Sequence, residues 1–562
     1  MTDPIIAALA EDTWETLLDV APTFATFVGD HRFDDRLESL SLESERVDRA
    51  RWQALADRAS AVDATSLALD DRVTLGLLDT LLRDSLDSID ARLVELRSDQ
   101  MEGVHIDLLQ TTGVLGVSEP DDAARIVERF RQVPRLLDEA LDRFRAGLDA
   151  GRTPAKVCVD RSLRVLDGYL ETPLDDDVFA SFNGPDDWSG EPAWRDQLRQ
   201  VATDEIRPAF ARYRDAFADE LAPRARPDDE AGLAHLPDGA ALYDLLVRHH
   251  TTLDLSPDEL HAFGMAEVTE RLPAEYAEVG GRLFGLTDTE AIYERLRTDP
   301  TLRYVTSDEI TADAHRFLAL ADAAMGDWFS TLPQAPCLIA EVPPYLAADA
   351  PAAYYFPPAG DGSRPGTYFV NTHEPTDKNR YEAASVAYHE AIPGHHLQIA
   401  IANELTDVPR FQRFALSNTA YVEGWGLYAE RLADEMGLYA TDLDRIGMLA
   451  ADSWRASRLV VDTGLHAMGW SRQRAIDFMA AHTPVSLPEV EVEIDRYIGM
   501  PGQALAYKVG QREIFRLRED AQHRLGDRFD IKGFHAAALQ SGAVSLPLLG
   551  ELVADWVKGT TP

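Results

Sequence analysis

Hydrophobic residues recur along most of this chain at the three- and four-residue spacing that is typical of amphipathic α-helices. Residues 121–151 predict two helices, interrupted near Pro134 because proline breaks the backbone hydrogen-bond ladder, and ended by Gly151. Another helix is expected to begin after Ser256, which precedes a proline and two acidic residues. In residues 71–96 one broad apolar face contains Val73, Leu77, Leu78, Leu81, Leu82 and Ile89. The pattern therefore predicts a mainly α, multi-helical fold.

One region departs from the helical pattern. Residues 337–372 contain three short runs of β-forming residues, at 337–342, 353–356 and 367–371, separated by clusters of proline and glycine. These runs predict a small antiparallel β-sheet directly before a histidine-rich segment.

The domain boundary is expected near residues 221–239, which are rich in proline, glycine and charged residues. Residues 1–230 would then form a helical half that walls or caps a cleft. Residues 231–562 would form a second half that carries the functional site.

Composition narrows the class of partner. The 562 residues are 45% hydrophobic, which is enough for a large core, and 54 basic against 97 acidic residues give a net charge of −43. This charge repels phosphate groups and anionic lipids, so partners such as nucleic acids and membrane surfaces are disfavoured. Only five of the basic residues are lysines. This balance favours adaptation to high salt, although a GC-rich genome would also replace lysine by arginine.

The chain is expected to be a soluble cytoplasmic protein. Its two cysteines, Cys158 and Cys337, are too few for a disulfide framework or a thiolate metal cluster. The first 18 residues are acidic and lack the basic and apolar regions of a secretory signal. No stretch reaches the roughly 18 apolar residues of a membrane helix. A homo-oligomer is compatible with the sequence.

The segment "SVAYHEAIPGHHLQIA", residues 385–400, contains a candidate metal site. His389 followed by Glu390 resembles the start of a zinc-peptidase helix, in which two histidines four residues apart bind one metal ion. Here the residue four positions after His389 is Pro393. In a continuous helix His395 would lie about 120° away, and His396 about 10.5 Å along the axis. A continuous helix therefore cannot form the site.

Pro393 and Gly394 could interrupt the helix and so bring a second histidine to the site. Proline interrupts the helix and glycine adopts backbone shapes that other residues cannot, so two extra residues could loop out. His395 would then take the place of the second histidine. We favour His395 because the glycine stands directly before it, with His396 as the alternative.

A third ligand is predicted on a second helix, residues 418–437. Glu423 follows the histidines by about 30 residues and lies among apolar neighbours, where an unpaired carboxylate would be costly to bury. Glu430 shares its helix face and would be either a second-layer acceptor for a ligand imidazole or the partner of an arginine.

Several motifs carry a family resemblance. These are "YHEAIPGHHLQ", "YVEGWGLYAERL", "RASRLVVDTGLHAMGWSRQRAI" and "YIGMPGQALAYKVGQ". In this order they resemble the DUF885 family, a group of uncharacterised proteins related to the gluzincin metallopeptidases. The resemblance implies a zincin-like (gluzincin-like) fold and Zn²⁺. It also implies an oxyanion-stabilising residue in the C-terminal half, for which Tyr497, Tyr507 and His466 are the candidates.

The leading hypothesis is a zinc-dependent hydrolase, a metallopeptidase that cleaves short peptides. His389, His395 and Glu423 would bind the metal, and Glu390 would act as the general base that takes a proton from the attacking water. One alternative is a zinc hydrolase of non-peptide amides or esters, and another is a catalytically silent helical binding protein with structural or no zinc. Arg455, Arg458 and Arg496 would either bind a substrate carboxylate or form internal salt bridges.

Overall fold

A computed structural model describes residues 3–112, 115–117, 119–185, 187–343, 347, 350–358, 364–414 and 418–560. Its N-terminal part consists of helices. These are α1 (Pro4–Val20), α2 (Pro22–Phe27), α3 (Leu42–Ser60), α4 (Leu69–Asp90), α5 (Val104–Thr112), α6 (Pro120–Phe130), α7 (Val133–Asp149), α8 (Lys156–Glu171), α9 (Glu191–Val201) and α10 (Arg207–Ala216). The predicted interruption near Pro134 is confirmed as the α6–α7 junction, and the residue after α7 and its cap is Gly151, with φ of +79°.

Five helices and a three-stranded sheet follow. The helices are α11 (Gly239–Thr251), α12 (Pro257–Ala266), α13 (Leu272–Phe284), α14 (Thr289–Thr298) and α15 (Ser307–Trp328). The strands are β1 (Cys337–Glu341), β2 (Ala353–Phe356) and β3 (Gly366–Val370). Helix α12 begins as predicted, because Ser256 caps the backbone amide of Glu259 while the Glu259 carboxylate accepts from the Ser256 amide.

The remaining helices form the C-terminal part. They are α16 (Ala383–Glu390), α17 (His395–Glu404), α18 (Arg410–Phe414), α19 (Thr419–Glu435), α20 (Asp442–His466), α21 (Arg472–His482), α22 (Leu487–Gly499), α23 (Ala506–Leu525), α24 (Ile531–Leu539) and α25 (Leu546–Thr560). The mainly α fold is thus confirmed. Among the described residues, none of these helices has the sustained apolar stretch of a transmembrane span.

The expected antiparallel sheet is wrong in one pairing. The strand order is β1–β3–β2, with β2 antiparallel and β1 parallel to β3. The sheet is therefore mixed. Strand β2 lies between β1 and β3 in sequence, but β3 is the central strand and β2 pairs with its edge opposite β1. His396 in α17 hydrogen bonds through Nδ1 to the Tyr355 hydroxyl of β2 at 2.9 Å, which places this sheet beside the histidine segment.

Buried hydrophobic side chains form three clusters. The first combines residues 6–82 with residues 233–557, the second lies within residues 37–221, and the third joins residues 155–231 to residues 461–504. Helix α20 is buried along almost its whole length and contributes to the first and third clusters. The division of the chain near residue 230 stays a prediction.

Candidate metal centre

The interruption between α16 and α17 is held by specific contacts. The carbonyl of Pro393 accepts a hydrogen bond from Trp425 Nε1 of α19 at 2.9 Å, and the carbonyl of Ala391 accepts one from the amide of His396 at 2.9 Å. A Cβ atom on Gly394 would lie 1.9 Å from the carbonyl oxygen of His389. Gly394 has a φ of −83°, so the interruption needs glycine because it has no side chain and not because of an unusual φ.

The structure brings His389, His395 and Glu423 together. Nε2 of each histidine lies 3.5 Å from Oε2 of Glu423, and the two imidazole rings are nearly perpendicular, with centroids 4.6 Å apart. A tetrahedral zinc ion with bonds of about 2.0–2.2 Å holds its ligand atoms about 3.4 Å apart. One nitrogen or oxygen atom from each of the three side chains also lies within 4.8 Å of the other two. The donor set and its spacing therefore fit Zn²⁺.

Glycine also lets α19 pass close to the first histidine. A Cβ atom on Gly426 would lie 2.7 Å from the imidazole ring of His389. The motif Gly-Trp-Gly at 424–426 directly follows Glu423, and Trp425 is the residue that binds Pro393. Sequence reasoning missed the positioning roles of Trp425 and Gly426. The Gly-Trp-Gly motif directly after Glu423 was the sequence feature that could have indicated them.

Glu430 lies behind the candidate ligands, one side-chain layer away. It is buried, and Oε1 accepts a hydrogen bond from His389 Nδ1 at 2.8 Å, while Oε2 accepts one from the Ser385 hydroxyl. Arg455 Nη2 is 4.0 Å from Oε1, which makes it the more distant partner. A carboxylate that orients the far nitrogen of a histidine is the usual support of a metal ligand.

Electrostatic interactions within the candidate site favour the charged forms of His389 and Glu423. Burial alone would lower the pKa of His389, but hydrogen bonds with Glu423 and Glu430 and the charges of Glu430 and Glu390 outweigh it and raise this pKa to about 9. Burial alone would likewise raise the pKa of Glu423, yet the two histidines hold it well below its usual range. Glu423 is therefore ionised at neutral pH, as a metal ligand must be.

The two neighbouring histidines have different surroundings. His395 Nδ1 is buried and has no hydrogen-bond partner within the described ranges. Both nitrogens of His396 are in use, because Nδ1 contacts the Tyr355 hydroxyl at 2.9 Å and Nε2 contacts the carbonyl of Ala335 at 3.1 Å. The structure therefore places His395 at the candidate site and His396 away from it.

Glu390 is the last residue of α16 and is half-buried. Its carboxylate makes no hydrogen bond or ion pair with the residues that the structure describes, and its charge adds to burial in raising the pKa of the Tyr368 hydroxyl on β3. The charge also acts on His389. Glu390 thus lies next to the first candidate ligand, and its carboxylate is unpaired within the described residues.

Two of the three oxyanion candidates are held in other contacts. His466 Nδ1 accepts from the amide of Leu233 at 3.1 Å, and Nε2 donates to the carbonyl of Tyr497 at 3.0 Å. The Tyr497 hydroxyl is buried, donates to Glu493 at 2.5 Å and accepts from Arg458 Nε at 2.8 Å. The structure does not bring His466 to the site. The Tyr497 hydroxyl is hydrogen bonded to both members of the ion pair between Arg458 and Glu493.

Tyr507, the third candidate, lies at the edge of the site. It is half-buried on α23, and burial together with the nearby charge of Glu423 raises its pKa. Its hydroxyl accepts a hydrogen bond from Gln503 Nε2 at 3.4 Å. Tyr507 therefore stays protonated at neutral pH and has a proton to donate.

The family resemblance is confirmed over nearly the whole chain. Residues 22–553 match the family described as "Bacterial protein of unknown function (DUF885)", and the chain belongs to this family. No curated protein matches the chain.

Solved structures show the same fold. A "putative lipoprotein from Colwellia psychrerythraea" is 26% identical over 99% of both chains, with a TM-score of 0.91. A "putative lipoprotein of unknown function" from Shewanella oneidensis is 19% identical over 98% of this chain and 99% of its own, with a TM-score of 0.78. A "putative oligoendopeptidase F" from Bacillus anthracis aligns at a TM-score of 0.26, which is too low to carry an argument.

These neighbours overturn one expectation. The Colwellia structure, which is 26% identical to this chain, is described as a "putative lipoprotein", and lipoproteins are anchored to a membrane through an attached lipid. This finding contradicts the cytoplasmic location that the sequence suggested.

Proposed function

We propose that the protein is a zinc-dependent hydrolase, a metallopeptidase that cleaves short peptides. The observation that carries the proposal is the placement of two imidazole nitrogens at 3.5 Å from one carboxylate oxygen, with Glu390 adjacent. A zinc ion bound there would act as the Lewis acid that polarises a scissile carbonyl and acidifies a water molecule.

The residues around the ligands have the properties that hydrolysis needs. Glu390 has a free carboxylate, so it would take the proton from the attacking water and pass it to the leaving amine. Tyr507 is protonated at neutral pH and would donate to the oxygen that gains negative charge. The side chains of His389, His395 and Glu423 are 3%, 10% and 21% exposed, so the candidate site is recessed and an extended short peptide would reach it more easily than a folded protein.

The test compares zinc-loaded wild type with Glu390→Gln on a mixture of short peptides, analysed by mass spectrometry. Wild type should cleave peptides, and Glu390→Gln should be slower by at least about 100-fold with unchanged zinc content, because general-base catalysis contributes about 10²–10⁴. Glu374→Gln is the matched control, since Glu374 also follows a histidine but is exposed and lies outside the site. An inactive zinc-loaded wild type, or a fully active Glu390→Gln variant, would contradict the proposal.

A further inference from the structure

Three arginines lie together with the aromatic residues Trp454, Tyr497 and Tyr507 beside the candidate metal centre. Arg455 and Arg458 belong to α20 and Arg496 to α22. The Arg458 guanidinium lies 4.4 Å from the ring centroid of Tyr507 and 4.8 Å from that of Trp454. The Arg455 guanidinium is 5.0 Å from the Trp454 ring and 6.0 Å from the Tyr507 ring. The guanidinium groups of Arg455 and Arg458 thus lie against the same two aromatic rings.

These arginines have few carboxylate partners. Arg458 Nη2 and Arg496 Nη2 share one carboxylate oxygen, Glu493 Oε2, at 3.2 and 3.0 Å. The nearest carboxylate to Arg455 is that of Glu430, at 4.0 Å, and Glu430 already accepts hydrogen bonds from His389 and Ser385.

One further acidic residue, Glu382, is influenced by the charge of Arg455. The pKa of Glu382 is raised to about 7, mainly by burial, and the charge of Arg455 acts in the opposite direction. Its Oε1 accepts a hydrogen bond from Asn379, and Glu382 forms no ion pair with Arg455 within the described residues. Among the described residues, Arg455 therefore has no carboxylate closer than that of Glu430 at 4.0 Å.

Two guanidinium nitrogens of this cluster have no hydrogen-bond partner among the described residues. Arg455 Nε and Arg458 Nη1 are both buried and unpaired in the described part of the chain. An unsatisfied charged donor is costly to bury, whereas a carboxylate can accept from two donors of a guanidinium at once. The Arg455 side chain is 13% exposed, so a small anion could reach it from solvent.

Two residues connect the cluster to the candidate metal centre. Glu430 lies between Arg455 and His389, and Tyr507 lies between Arg458 and the charge of Glu423. Both Arg455 and Arg458 lie within 6.0 Å of the Tyr507 ring centroid, so a peptide whose scissile bond faced the candidate ligands could extend its leaving fragment past Tyr507 to these arginines.

We infer that Arg455 and Arg458 bind a carboxylate of the substrate, namely the free C-terminal carboxylate of a short peptide. This inference rests on the proposed function and names its substrate class. It makes the protein an enzyme that releases short fragments from the C-terminal ends of peptides.

Binding to the Glu390→Gln variant tests the inference without cleavage. Isothermal titration calorimetry would compare trialanine with trialanine amide, and with an amidated peptide that carries a glutamate side chain. Trialanine should bind at least about 10-fold more tightly than its amide, because the neutral amide loses the charge-assisted hydrogen bonds that the carboxylate accepts from the guanidinium groups. Adding Arg455→Gln should reduce the ratio to within about twofold. Arg455→Lys should restore it only in part, because lysine lacks the planar fork.

Arg516→Gln is the matched control and should leave the ratio unchanged. It removes the same charge on α23, but its side chain is 59% exposed and pairs with Glu513. Circular dichroism and thermal unfolding would establish that each variant folds.

Each other outcome has a definite meaning. Equal affinity for trialanine and its amide, no binding of either, or a ratio that survives Arg455→Gln would overturn the carboxylate site. Tighter, Arg455-dependent binding of the glutamate peptide would overturn the C-terminal assignment.

If wild type cleaves both trialanine and its amide equally well, the carboxylate site fails but the peptidase function stands. If wild type cleaves neither and the preference persists, the peptidase function fails but the carboxylate site stands.

Discussion

At the scale of single residues, Glu430 connects the candidate ligands to the surrounding helices. Its two carboxylate oxygens accept from His389 of α16 and from Ser385 one turn earlier, and its backbone carbonyl accepts from the Tyr439 hydroxyl at 2.9 Å. This arrangement fixes which nitrogen of His389 faces Glu423. The orientation of the first candidate ligand therefore depends on a residue that does not itself reach the metal position.

Glu430→Gln should weaken zinc binding by about 10- to 100-fold, which is the usual cost of losing a carboxylate that orients a ligand histidine. Competition with a chelator of known affinity measures the change. Glu435→Gln on the same helix is the control, since its side chain is 40% exposed and pairs with Arg518. Equal zinc affinity of wild type and Glu430→Gln would contradict this role.

Some residues could be predicted from the sequence because their signal is local. Glu423 shares a helix face with Leu427, four residues later, and with Glu430, seven residues later. Gly394 directly precedes His395. His466 and Tyr497 could not be judged in the same way. Leu233, which contacts His466, and Arg458, which contacts Tyr497, come from other segments of the chain, whereas Glu493 lies one helical turn before Tyr497. Only the folded structure shows which polar groups are already paired.

At the scale of elements, the close packing of α19 against α23 positions two of the acidic residues of the site. A Cβ atom on Gly424 would lie 2.4 Å from Cα of Gly510, and one on Gly510 would lie 1.8 Å from the carbonyl oxygen of Ala420. The two helices can approach this closely only because both residues are glycine. Glu423 and Glu430 of α19 depend on this contact for their position.

Gly510→Ala should force the two helices apart, lower the free energy of unfolding by about 3 kcal/mol and weaken zinc binding. Denaturant unfolding and zinc titration measure the two effects. Gly550→Ala in α25 is the control, because its nearest atom outside the helix would be 3.7 Å away, and alanine there should stabilise by about 0.5–1 kcal/mol. A Gly510→Ala variant as stable as wild type would refute the packing argument.

The helices could be predicted from periodicity and caps, but the sheet could not be predicted in full. Hydrophobic spacing and the Ser256 cap are local signals, and α4, α7 and α12 follow them. The pairing of β1 with β3 joins segments about 30 residues apart in sequence, and no local pattern distinguishes a parallel from an antiparallel pair of short strands. The mixed sheet therefore follows from tertiary packing.

At the scale of the whole molecule, the net charge of −43 is the dominant long-range term. Mutual repulsion of surface carboxylates destabilises the compact state, and dissolved salt screens this repulsion beyond about 10 Å at 0.1 M. Many arginines form ion pairs at the surface, such as Arg49 with Asp90 and Arg46 with Glu43, but exposed pairs contribute little. The excess of acidic residues therefore governs the response to salt.

The melting temperature should rise as potassium chloride increases from about 0.05 M to about 1 M, because screening at these concentrations shortens the range of repulsion from more than about 10 Å to about 3 Å. Differential scanning calorimetry measures the trend. A variant in which several unpaired surface acids are changed to their amides should show a smaller rise. A melting temperature that is constant or falls over this range would contradict the repulsion argument.

The central claim is that His389, His395 and Glu423 bind zinc, and the metal content of two adjacent histidine variants tests it most directly. Wild type, His395→Ala and His396→Ala would be loaded with zinc, desalted and analysed by elemental mass spectrometry. The geometry predicts about one zinc per chain in wild type and His396→Ala, and a loss of nearly all zinc in His395→Ala. Wild type without stoichiometric zinc, or zinc that depends on His396 instead of His395, would contradict the account.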